Sequence, residues 1–102
     1  MTGEEAGREG LQKIDAALSR KPKKDGRALT EATGLLCLYR DSLIEASRSG
    51  RPQDRERLSH INAVLSVVAG VHFPLGDAPW EELEKARGWL SDLLAKATAG
   101  PA

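Results

Sequence analysis

The sequence predicts an all-α fold: a small antiparallel up-and-down helical bundle, with three long helices and a short N-terminal one. Three observations predict it. Apolar residues recur at three- and four-residue spacing in each long segment. Gly and Pro fall between those segments rather than inside them. The connections are about 4 to 6 residues long, which favours antiparallel neighbours.

The first ten residues, MTGEEAGREG, hold Gly3, Gly7 and Gly10. Each glycine costs a helix about 1 kcal/mol relative to Ala, so residues 1–10 read as a flexible segment. Leu11, Ile14 and Leu18 then mark a short amphipathic helix to about Arg20. Pro22, which cannot continue a helix, and the basic run around it break the pattern.

A second helix is expected from about Arg27 to Arg48, with Asp25 near its cap. Its stripe is Leu29, Ala32, Leu36, Tyr39, Leu43 and Ala46, and Gly50 stops it. A third should begin at Pro52 to Asp54 and end near Val71 or His72, before Phe73-Pro74. The fourth opens at Asp77-Ala78-Pro79 with Glu81, Glu82 and Glu84 in its early turns, where the helix dipole favours acids. Trp80, Leu83, Ala86, Leu90, Leu94 and Ala97 form its stripe. The expected layout is one domain over residues 11–98, with 99–102 as a flexible tail.

Composition excludes several classes of function. Fifteen basic and fifteen acidic residues leave no net charge, so general attraction to nucleic acid or anionic membrane is not favoured. The basic residues fall in two clusters, Arg20 to Arg27 and Arg48 to Arg57. An up-and-down bundle places these at opposite ends, so nucleic-acid binding is not expected. A single cysteine, Cys37, forms no internal disulfide, which points to a reducing cytoplasm. The polar N-terminus lacks the pattern of a signal peptide. No Gly-rich phosphate loop, nucleophile elbow or metal-ligand spacing is present, and no cofactor or metal is expected.

Residues 58–76 contain no Asp, Glu, Lys or Arg. On a wheel at about 100° per residue, Leu58, Ile61, Leu65 and Val68 share one arc. Val64, Val67 and Val71 widen it to about half the circumference. The opposite side carries Ser59, Asn62, Ala63 and Ser66, none of them charged. One groove within a chain buries an arc of only about 100° or slightly more. Either the other three helices surround this one within the chain, or a second molecule covers its far side; the expectation is a homodimer, or docking of another protein, with Val64, Val67, Val71 and Trp89 at the interface.

An alternative comes from Arg55-Glu56-Arg57-Leu58-Ser59-His60. This hexapeptide resembles the Arg-x4-6-His motif of HEPN-type ribonucleases, small all-helical proteins that usually dimerise around a metal-independent RNA-cleaving cleft. The resemblance covers these six residues. It implies a proton-transfer role for His60 and phosphate stabilisation by Arg55.

Overall fold

The computed structural model describes residues 2–21, 23, 26–48, 52–72 and 80–99, with side chains described over 54–69 of the third helix and 80–95 of the fourth. Four helices follow in order: α1 (Gly3–Ser19), α2 (Gly26–Ser47), α3 (Pro52–His72) and α4 (Trp80–Ala99). Asp25, Gly50 and the Phe73 to Pro79 connection lie outside the described residues, as do the last three residues.

Each helix packs on two others. α1 lies against α2 and α4, and α3 lies against α2 and α4. Among the described residues neither diagonal pair, α1 with α3 or α2 with α4, is in contact. The result is an all-α bundle with its helices arranged as a four-membered ring.

The boundaries of α2 and α3 fall within a residue or two of the sequence expectation, and the expected cap of α4 at Asp77 lies outside the described residues. α1 differs. It begins at Gly3, eight residues before Leu11. Thr2 caps it, its hydroxyl oxygen accepting the Glu5 N–H at 3.1 Å. Glu4 and Glu5 occupy the first turn, and Glu4 pairs with Arg8 at 2.7 Å. The glycines that predicted fraying instead face α2. A methyl group at Gly7 would sit 2.7 Å from the Tyr39 ring, and one at Gly10 would sit 2.9 Å from a Leu36 methyl. One at Gly3 would overlap Ser42. Absent side chains thus let two backbones approach closely, and Gly7 and Gly10 are themselves buried.

The core runs through all four helices. Ile14 and Ala17 come from α1, and Leu29, Ala32, Leu36 and Tyr39 from α2. Ile61, Val64 and Val68 come from α3, and Leu83, Ala86, Leu90 and Leu93 from α4. Exposed ion pairs link neighbouring helices at the rim. Lys13 meets Glu31 at 2.8 Å between α1 and α2. Arg87 meets Asp15 at 2.6 Å, and Lys21 meets Glu84 at 2.5 Å, between α4 and α1. Such pairs contribute little to stability, but they identify which flank of each helix faces which neighbour.

One acid departs from the rule that charges stay at the surface. Asp54, the third residue of α3, is only 3% exposed. Its place in the first turn puts the carboxylate beside the positive end of the helix dipole. Arg57, one turn on, approaches it at 4.0 Å.

Candidate interaction surface

The ion pairs orient α4. Arg87 and Glu84 reach α1, and Leu83, Ala86, Leu90 and Leu93 fill the core. Continuing round the wheel away from α1, Glu82 and then Trp89 follow, on the flank of α4 nearest α3. Trp89 is 40% exposed. The same reasoning applied to α3 puts His60 and Val67 on the flank nearest α4, both half-buried. Ala63 lies just outside them and is exposed. Ala63 lies nine residues before the end of α3 and Trp89 nine after the start of α4, which sets them at matching heights in an antiparallel pair. These four residues lie along the outer α3/α4 seam, with Glu82 of α4 and Glu56 of α3 exposed on the same flanks.

The expected interface residues divide along this geometry. Val67 and Trp89 reach the surface. Val64 does not: it is fully buried in the chain's own core and has no surface to present. The centre of the buried arc on α3 lies between Val64, Val68 and Ile61. That is about 80° round from the midpoint of Leu58 and Leu65, which are only partly covered. Val71 belongs to α3, but its side chain lies outside the described ones. Ser59, Asn62, Ala63 and Ser66 all face outward, so the small, uncharged side of α3 is solvent-facing in the single chain.

Leu38, at 53%, is the other large apolar side chain exposed among the described residues. It sits on the flank of α2 that faces α1, since Leu35 and Ser42 on that flank meet α1 glycines. Leu38 and Trp89 are therefore on opposite corners of the ring and form no common patch.

Arg55 is exposed and His60 half-buried. Five residues of regular helix separate them by about 140°. His60 lies towards α4 and Arg55 points out on the α2 side, so one chain does not bring the pair together. The basic clusters also separate. Arg20, Lys21, Lys23 and Arg27 lie at the α1/α2 connection, and Arg48, Arg55 and Arg57 at the opposite end.

An open depression of about 300 Å³ lies between α1 and α2, lined by Lys13, Ala16, Arg20, Arg27, Ala28 and Glu31. Its acid is already shared, with Lys13 at 2.8 Å and Arg27 at 3.3 Å. The Lys13 hydrogen bond, then its charge, holds the Glu31 carboxyl below its ordinary range, with Arg27 adding to the effect. No group of three or more His, Cys, Asp or Glu residues arranged to hold a metal occurs among the described residues. No described helix is long and apolar enough to cross a membrane.

Comparison with known protein families, characterised proteins and solved structures finds no match.

Proposed function

We propose that this chain is a non-catalytic assembly domain that self-associates through the outer α3/α4 seam. The observation that carries the reading is Trp89, 40% exposed beside Val67 and the small, uncharged outer face of α3. Trp is the residue most enriched where binding energy concentrates, and a small neighbouring face lets a second backbone approach. The interface is narrower than the valine face alone suggested, because Val64 belongs to the core. Each large apolar side chain buried contributes about 1.5–3 kcal/mol. Two-fold symmetry doubles every contact. Two such side chains per copy, doubled, give about 6–12 kcal/mol, which exceeds an association cost of about 4 kcal/mol and reaches the micromolar range at its upper end. We place the protein in the cytoplasm, where the free Cys37 suits a reducing compartment.

The test is the mass in solution. Sedimentation at tens of micromolar should report a dimer. Ala63→Glu adds a charge at an exposed position of the seam without entering the core. It should yield a folded monomer, with helical circular dichroism unchanged. A wild-type chain that stays monomeric at that concentration overturns the proposal.

A further inference from the structure

We infer that the second copy docks with its α4 antiparallel to the first, about a two-fold axis at the level of Trp89. The inference rests on the self-association proposed above and specifies its geometry. The argument comes from the charges that flank Trp89. At about 100° per residue, Lys85, Trp89 and Asp92 lie within about 60° of one another on α4. All three are exposed, on the flank turned away from α1. Glu82 continues the strip towards the helix start and is also exposed. Within the chain, Lys85 approaches Glu82 only at 4.0 Å, with both side chains more than half exposed.

The signs along this strip are antisymmetric about Trp89. Lys85 lies four residues before it and Asp92 three after. Glu82 lies seven before it, and the residue seven after it in the sequence is Lys96. Turned through a two-fold axis, an antiparallel copy sets Lys85 against the other copy's Asp92, and the reverse contact repeats it. The position of Glu82 likewise falls against that of Lys96. A parallel arrangement sets Lys85 against Lys85 and Asp92 against Asp92, which is repulsive. The pattern thus selects one orientation and excludes the other, which is how charges at an interface act on specificity and register. The apolar geometry agrees. With Trp89 on the axis, each indole reaches the Ala63 and Val67 flank of the other copy's α3, which lies at the same level.

Charge reversal tests this arrangement without disturbing the fold, because both residues are exposed. Lys85→Asp sets two acids against each other twice per dimer, and Asp92→Lys does the same with two bases. Each variant alone should dissociate at least about tenfold more readily than wild type, since two attractive pairs become repulsive. An equimolar mixture of the two should recover the dimer. In the mixture, the new acid of one copy meets the new base of the other, and a native Lys85–Asp92 pair forms at the symmetry-related position. Sedimentation at low ionic strength reads all three samples. If the wild type is a dimer and both variants dimerise as tightly, the α4 geometry is overturned while self-association stands. If the variants weaken and the mixture does not recover, the pairing is overturned as well. A monomeric wild type removes both readings together.

Discussion

The α1/α2 seam and the α3/α4 seam use small residues in opposite ways. At the first, Gly7 and Gly10 are closed over by Tyr39 and Leu36, and a methyl group on either would press into a neighbour. On α4, about 100° round from Trp89 and outside that seam, a methyl at Gly88 would meet nothing within 4 Å. Ala63, at the outer edge of α3, is likewise open to solvent. The first seam is closed where its glycines lie, with Leu38 exposed at its outer edge. The second leaves a tryptophan and a half-covered valine at its edge. A small residue is therefore informative only together with what opposes it. The same glycine signature that looks like a weak helix on paper marks a close helix contact at α1, and open surface at α4.

The comparison breaks most visibly at Gly7. Gly7→Val forces a branched side chain into the Tyr39 ring, and overpacking of this kind costs about 1–3 kcal/mol. A shift of several degrees in thermal midpoint, and a lower urea midpoint, should report it. Gly88→Ala should do the reverse. It removes a flexible residue from mid-helix where space is free, stabilising by about 0.5–1 kcal/mol, read as a raised midpoint. If both substitutions changed stability in the same direction, the contrast between a glycine opposed by a neighbouring helix and one open to solvent would be wrong.

Tyr39 sharpens the closed side of the comparison. Its ring is the surface that Gly7 admits, yet its hydroxyl is buried without a hydrogen-bond partner among the described residues. Tyr39→Phe keeps the ring and removes an unsatisfied group, so stability at pH 7 should hold or rise by up to about 1 kcal/mol. Burial pushes the Tyr39 pKa up, with Arg57 partly opposing it. A raised folded-state pKa means that the contribution is whole below the unfolded value and is lost as pH climbs through alkaline values. The wild type should lose stability there more steeply than Tyr39→Phe.

The smallest expected effect lies at the rim of the same seam. Glu31 is held below its ordinary pKa chiefly by the Lys13 hydrogen bond. Its contribution is present above the unfolded value and fades as pH falls through the folded one. Glu31→Gln should flatten the acid side of the stability curve slightly, because the pair is exposed and screened. Urea midpoints compared at neutral and acidic pH measure this.

Much of the fold is legible in the sequence, for stated reasons. The stripes Leu29 to Leu43 and Leu83 to Leu94 are each buried as their spacing requires. The start of α1 was not legible, because glycine propensity describes a helix in water. Gly7 and Gly10 answer to Tyr39 and Leu36, thirty-two and twenty-six residues away. Val64 was misplaced for a related reason. A wheel shows how wide an apolar arc is, but the direction of its centre is set by where α2 and α4 lie. The strip through Lys85, Trp89 and Asp92 needed the Asp15–Arg87 pair to show which flank of α4 is already occupied.

That same pair, joining residues 72 apart, lies on the one seam whose helices are not consecutive in the chain. The α1/α2, α2/α3 and α3/α4 contacts are hairpins that close over short loops, which favours rapid formation. The α1/α4 contact must close nearly the whole chain, at a larger entropic cost. Once it forms, no helix is terminal: each is held from two sides, and fraying of any one must open two seams rather than one. The exposed salt bridges of that seam, weak as they are, mark where a linear stack of hairpins becomes a cycle that melts as a unit.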